Sequence, residues 1–316
     1  MPIRYHHSQR GIFREFLFRL RKLVPTAIRI SVWKWTSKRI FHRAEFADSV
    51  PFFKSIELET RTRCNSSCSF CAASILTDKR PDIYMPDVLY EKIIEELALR
   101  AYDGNIKFFV NNEPLLDKRT PDFIRMAKAR VPQAKTEVHT NGLKLNPRSG
   151  RELLAAGLDI LVINNYSKDA QMHRGVRAFL DEVAPDFPAC SIDFHQRKLE
   201  EQLLNRGGTA PNGQLSAQAL PLPCILPFEE MVVTADGRVT ICCQDHYFTN
   251  ALGNLNQDSL ATVWQSEGYQ KLRKALAASD RSQNPLCKVC DFKGYKEEHM
   301  PKLESTLNRA IGGQMY

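Results

Sequence analysis

The stretch "RCNSSCSFC", residues 63–71, places three cysteines four and then three positions apart on a run of small polar residues. It follows the strand-like "SIELET" (55–60) and precedes a helical pattern from about Asp87, where Leu89, Ile93, Ile94 and Leu97 share one face. Further on come "IKFFVNNEP" (106–114), a helix near 121–130, "TEVHTNG" (136–142), a helix near 148–156, "DILVINN" (159–165), a helix near 169–183 and "CSIDF" (190–194). Strands and helices alternating in this way imply parallel pairing through helical crossovers. The expected fold is therefore α/β, a partial parallel (β/α) barrel of five or six strands. Ligands of such sheets sit at the carboxyl ends of the strands. That is where the cysteine loop, "NNEP", "TNG" and "INNYS" fall.

From about Asn205 the texture changes. Residues 205–223 are rich in Gly, Pro, Ala and polar residues and read as a linker. "EMVVTADGRVTICC" (230–243) is two β runs around Asp236-Gly237, a hairpin signal. Residues 258–278 read as helical, and "CKVC" closes a small C-terminal unit of β-hairpin and helix. The expected partition is an extension at 1–50, a core at 51–204, the linker at 205–223, a second domain at 224–292 and a tail at 293–316.

The chain has 316 residues, 43% hydrophobic and 25% charged, enough for a sizeable core. No stretch reaches the roughly 18–20 apolar residues of a membrane span, and Arg14, Arg19, Arg21 and Lys22 interrupt any signal-peptide core. A cytoplasmic protein is expected, in which nine cysteines point to ligation or catalysis rather than structural disulfides.

The net charge of +8 is local, because residues 1–50 hold 11 Lys and Arg against 3 Asp and Glu and the remainder balances. There Phe13, Phe16, Leu17, Leu20 and Val24 recur at helical spacing. The plainer reading is a helix packed on the protein's own body. The alternative is a basic amphipathic helix, with residues 1–42 touching the inner face of an anionic membrane. Nucleic acid is disfavoured, since no aromatic stacking pattern repeats through the body.

Thiolates bind zinc or iron–sulfur clusters, and structural zinc takes four protein ligands. Three cysteines on one loop, Cys64, Cys68 and Cys71, therefore point to an iron–sulfur cluster with one iron left open. The competing reading is a zinc site completed by a distant His139 or His195. In the second set, Cys224, Cys242, Cys287 and Cys290 supply four thiolates, suited to a zinc ribbon or to a second 4Fe-4S cluster. Cys243 is an alternative to Cys242, its plainer reading being a neighbour that packs or hydrogen-bonds. Cys190 reads as a small buried hydrophobe.

The C-x3-C-x2-C loop after the first strand, with Phe70 just before its last cysteine, resembles the radical S-adenosylmethionine (SAM) superfamily. That resemblance implies a 4Fe-4S cluster on Cys64, Cys68 and Cys71 whose open iron is chelated by SAM, and reductive cleavage of SAM to a 5′-deoxyadenosyl radical. "NNEP" stands where the family has Gly-Gly-Glu-Pro, with Asn111 and Asn112 in place of the glycines and Glu113-Pro114 retained. Implied SAM contacts are Phe70, Asn112, Glu113, Pro114, Thr140, Asn141 and Asn165. The later pattern resembles the twitch form of the SPASM domain, implying one auxiliary 4Fe-4S cluster on Cys224, Cys242, Cys287 and Cys290.

Two such clusters suit a two-electron substrate oxidation. Among family members with this layout, an aminocyclitol dehydrogenase offers the nearest pattern, and Arg206 falls where that enzyme presents a substrate-binding arginine. Asp193, His195 and Asp245 are candidate proton acceptors. The expected substrate is a polar sugar, aminocyclitol or glycan intermediate, and the expected electron donor a flavodoxin or ferredoxin. A peptide maturase is the alternative enzyme. A non-catalytic cluster or zinc protein docking on membrane or nucleic acid is the alternative of another class.

Overall fold

The computed structural model describes residues 3–7, 31 and 50–295. The amphipathic reading at 13–24, most of the segment proposed for membrane contact and the tail beyond 295 lie outside the described residues.

Among the described residues, nine strands form a single sheet. They are β1 (Arg4–His7), β2 (Ser55–Leu58), β3 (Asn105–Lys107), β4 (Lys135–Thr140), β5 (Ile160–Ser167), β6 (Ser191–Lys198), β7 (Glu230–Val233), β8 (Arg238–Thr240) and β9 (Ala251–Asn254). The order across the sheet is β1-β6-β5-β4-β3-β2-β7-β8-β9. Every pair from β1 to β7 is parallel, and only β7–β8 and β8–β9 are antiparallel. From β2 to β6 each strand lies beside its sequence neighbour, the mark of a singly wound partial barrel. Helices α1 (Asp87–Ala98), α2 (Thr120–Arg130), α3 (Pro147–Ala155) and α4 (Arg174–Glu182) make the crossovers.

Alternate strand residues build the core against these helices. Ile56, Ile106, Val138, Leu161, Ile163, Ile192 and Phe194 pack in one cluster with Leu89, Ile93, Ile94, Phe123, Leu153 and Phe179. At Gly150 of α3, a Cβ would lie 2.1 Å from the Phe179 ring of α4, so only glycine lets these helices approach so closely. The opposite strand face carries Glu57, Lys107, Glu137, His139, Asn164, Asp193 and His195, as period-two alternation requires. Parallel strands covered on both faces by apolar layers read as continuous hydrophobic runs. These do not, so the concave face is a polar lumen.

Three findings depart from the sequence reading. Residues 4–7, expected within the basic extension, add a strand to the barrel edge in register with Asp193–Gln196. The helix expected over 258–278 is two, α6 (Leu260–Trp264) and α7 (Glu267–Ala277), because Ser266 caps α7 through the Tyr269 amide. The hairpin joins the main sheet, with Ile56 of β2 opposite Met231 of β7, and turns at Gly237 with φ +86°. Trp264 locks α6 beneath the barrel. Its indole donates to the Pro51 carbonyl at 3.0 Å, and the Arg273 guanidinium lies 3.9 Å above its ring.

Candidate functional site

The cysteine loop leaves the carboxyl end of β2 and is stitched to its neighbours. Ser69 donates its amide to the Leu199 carbonyl at 3.0 Å, Ser66 Oγ lies 3.0 Å from Cys68 Sγ, and Asn141 Nδ2 lies 3.6 Å from Cys64 Sγ. All three thiols are free. Burial pushes Cys64 up to about 12, aided by the Glu113 carboxylate, and Cys68 up to about 11. Buried thiols with no cation beside them stay protonated until a metal supplies the charge, so this donor set fits a cluster.

The turn after β3 closes on the turn after β4. Glu113 is buried and accepts from Thr140 Oγ1 at 2.7 Å, the Asn141 amide at 2.8 Å and the Leu115 amide at 3.1 Å. Its carboxyl is raised by burial to about 6 despite these bonds. Glu113 therefore shapes the SAM-motif turns by tying them together. Pro114 begins the short 3-10 turn Pro114–Leu116. Neither Asn111 nor Asn112 has positive φ, so replacing the family's glycines brings no backbone strain. Asn112 Nδ2 is buried without a partner among the described residues, a donor a bound ligand would satisfy.

Beside these turns lies a cavity of about 450 Å³ lined by Asn65, Ser66, Leu143, Tyr166, Gln171 and His173, among others. Phe70 packs on Tyr166 with ring centroids 5.3 Å apart, closing the loop over it. Asn165 turns to the helix side. It donates to Gln171 O and Gln196 Oε1 and accepts the His173 amide, so its polar groups are spent on the fold. Asn164 is the lumen-facing neighbour, accepting from Arg197 Nε at 3.2 Å.

Cys224, Cys242, Cys287 and Cys290 line one small cavity together with Leu226, Ile241, Leu286 and Phe292. α5 (Leu226–Glu229) follows Cys224, and α8 (Pro285–Val289) carries Cys287, with Asn284 Oδ1 accepting from the Leu286 and Cys287 amides. Burial pushes Cys224 up to about 11 and Cys287 up to about 12. A tetrahedral zinc with Zn–S bonds near 2.3 Å needs its sulfurs about 3.8 Å apart. Among the described residues only Glu57, Glu230 and Cys243 bring three ligand atoms within 4.8 Å of one another. Four thiols around one closed cavity suit the corners of a cluster. Cys243 is outside their cavity and beside Glu57 and Glu230, on the lumen side.

The lumen between the two cysteine sets is charged. Lys107 Nζ lies 3.2 Å from Glu57 Oε1 and 3.8 Å from Glu230 Oε1. Burial alone would lower this ammonium, but Glu57, Glu230 and Glu137 outweigh it and hold it above its usual range. His139 is 2.6 Å from Glu137 and stacks on Phe109. Arg206 enters from the linker, donating from Nη2 to Asn111 Oδ1 at 2.8 Å. It occupies the left-handed region with φ +52°. Asn205 anchors that turn by donating to the Val289 and Gln214 carbonyls, so the expected linker is bound to the "CKVC" loop.

Among the other candidates, Asp193 is paired with Arg4 of β1 at 2.6 Å. His195 sits on the lumen face opposite Asn164. Asp245 accepts from Thr240, from the backbone and side chain of Thr249 and from those of Asn250, which makes it the tie of its loop rather than a proton acceptor. Sequence reasoning missed Lys107, Glu57 and His246. Strand alternation through "SIELET" and "IKFFV" was the available signal for the first two.

Comparisons with known proteins agree with this geometry. Residues 58–165 match the family model of the radical SAM superfamily, and residues 224–291 match SPASM, an iron-sulfur cluster-binding domain. The S-adenosyl-L-methionine-dependent 2-deoxy-scyllo-inosamine dehydrogenase of Niallia circulans is 28% identical over 239 residues, 76% of this chain and 93% of that protein. The crystal structure of BtrN in complex with AdoMet and 2-DOIA superposes with a TM-score of 0.68 at 26% identity, covering 80% of this chain and 98% of that one. BtrN in an open conformation gives 0.58 at 23% identity, covering 77% and 94%. The chain belongs to the radical SAM superfamily, as a radical SAM oxidoreductase that takes SAM and two 4Fe-4S clusters, one in each matched domain.

Proposed function

We propose that this enzyme dehydrogenates a secondary alcohol on a polyhydroxylated ring of the aminocyclitol class. The observation that carries the reading is Arg206, held in a left-handed backbone conformation with its guanidinium on Asn111 of the SAM-motif turn. A non-glycine residue kept at positive φ costs on the order of 1 kcal/mol or more, and such strain concentrates at functional sites. The relative from Niallia circulans, named for oxidising 2-deoxy-scyllo-inosamine, supports the same class.

Cys64, Cys68 and Cys71 would hold the SAM-binding cluster, and Cys224, Cys242, Cys287 and Cys290 the auxiliary one. Phe70, Asn112, Pro114, Thr140 and Asn141 would border SAM. Bound there, these groups supply a carbon-centred radical that accepts a hydrogen atom and a second cluster that accepts an electron. The chain's own residues do the rest. Arg206 would orient the reacting hydroxyl and stabilise negative charge on its oxygen. In the lumen Glu57, Glu137 and Glu230 surround Lys107, and Asn164 and Arg197 stand on the strands beyond, polar groups that suit a hydroxylated ring. A one-electron donor of flavodoxin or ferredoxin type would be the partner.

The test is anaerobic incubation of reconstituted enzyme with SAM, dithionite and a panel of aminocyclitols, inositols and hexoses. Ketone and 5′-deoxyadenosine should appear in equal amounts with aminocyclitols. Absence of ketone across the panel would overturn the reading.

A further inference from the structure

His246 is 1% exposed, and neither ring nitrogen has a hydrogen-bond partner among the described residues. Buried polar groups are nearly always paired, so two orphan nitrogens on one ring need an occupant. The residue stands on the loop after Cys242 and Cys243, and its carbonyl accepts from Asn111 Nδ2 at 3.4 Å. Asn111 also accepts from Arg206, so the His246 backbone and the Arg206 guanidinium share one side chain, and the guanidinium is close enough to act electrostatically on the imidazole. The exposed Tyr247 ring meets it edge to face, with ring centroids 4.8 Å apart.

Resting on the dehydrogenase reading, we infer that His246 touches the substrate and takes the proton of the hydroxyl being oxidised. Turning a carbinol into a ketone removes one hydrogen atom from carbon, one electron and one proton from oxygen. The bound cofactors would supply the acceptors, a carbon-centred radical for the hydrogen atom and the auxiliary cluster for the electron. The proton is left over. As the O–H bond breaks, an N–H bond forms on the imidazole and the carbonyl double bond closes. A carbonyl oxygen still carrying that proton is far more acidic than any imidazolium, so the transfer runs downhill.

The surroundings keep the acceptor neutral. Burial, then the Arg80 and Arg206 guanidiniums, lower the imidazole to about 3, with Asp78 opposing them. A neutral ring offers a lone pair at any physiological pH, while Arg206 alone has donors and no acceptor. Asp245, one residue earlier, is saturated by donors, and Asp193 is engaged with Arg4. Glutamine would fill the space and accept a hydrogen bond without taking a proton.

The experiment compares wild type and His246→Gln as reconstituted holoenzymes, measuring iron content, 5′-deoxyadenosine and ketone from 2-deoxy-scyllo-inosamine. The inference expects ketone per deoxyadenosine to fall about 100-fold, within the usual range for a positioned acid or base. An unchanged ratio overturns it. Should the variant lose iron, ¹⁵N-histidine spectra of the wild-type holoenzyme decide instead. The ring ¹⁵N resonances of His246, assigned by their absence from the variant's spectrum, must shift when the aminocyclitol is added, and no shift overturns the inference. Failure of the dehydrogenase reading looks different, because wild type itself then makes no ketone.

Discussion

The two cysteine sets are built on opposite plans. Cys64, Cys68 and Cys71 hang on a loop of small polar residues beside a cavity of about 450 Å³, and two of the three are only partly buried. Cys224, Cys242, Cys287 and Cys290 are all buried, in a cavity walled by leucine, isoleucine and phenylalanine. The first arrangement leaves one side for a ligand, and the second surrounds its contents. Under the proposed ligand sets, count and access separate the tasks: the open site would exchange SAM, and the closed one would keep its cluster.

The harshest test of this contrast is the Cys64→Ala, Cys68→Ala, Cys71→Ala triple variant. With clusters of the four-iron type, iron should fall from about eight to about four per chain, and 5′-deoxyadenosine formation should vanish. Iron analysis beside chromatography of the reaction would read both. Loss of all iron would mean that the closed site depends on the open one.

A smaller effect separates Cys242 of the closed site from its neighbour Cys243. Cys242→Ala should halve the iron to about four while SAM cleavage persists, whereas Cys243→Ala should keep about eight. Equal losses would break the distinction between the cavity thiol and the lumen thiol.

At the open site Glu113 gives a pH signature. Its folded carboxyl titrates near 6 against 4.5 unfolded. The stability tied to its proton is full below 4.5 and lost as pH rises through 6, about 2 kcal/mol in all. Glu113→Gln removes that share, so the difference in melting temperature between wild type and variant should change across this interval. A flat difference would refute the assignment. Smallest is Asn284→Ala at the closed site, expected to cost about 1 kcal/mol by uncapping the helix that presents Cys287. Denaturant titration would measure it.

Much of this was legible beforehand, for reasons that differ by element. The cysteine loop, Glu113-Pro114 and the strand–helix alternation declared themselves because their meaning lies in local spacing. Asp236-Gly237 gave the hairpin by turn chemistry alone. What spacing could not reveal was long-range. Nothing near Arg4 announces pairing with Asp193, and no local feature distinguishes Asp245, saturated by donors, from His246, left without any. The hydrogen bond that turns Asn165 to the helix side could not be seen either, because its partner Gln196 is 31 positions away.

The parallel ladder between β2 and β7 has a consequence for descent. One strand leads into the open cysteine loop and its ladder partner into the hairpin that ends at Cys242. Spacing between the two sites is thereby inherited through backbone pairing. Arg206 instead arrives on the 205–223 connection, which takes no part in that ladder. On the proposed assignment, contacts to the substrate would sit on one segment, while the gap between the two cysteine sets is set by backbone pairing in another.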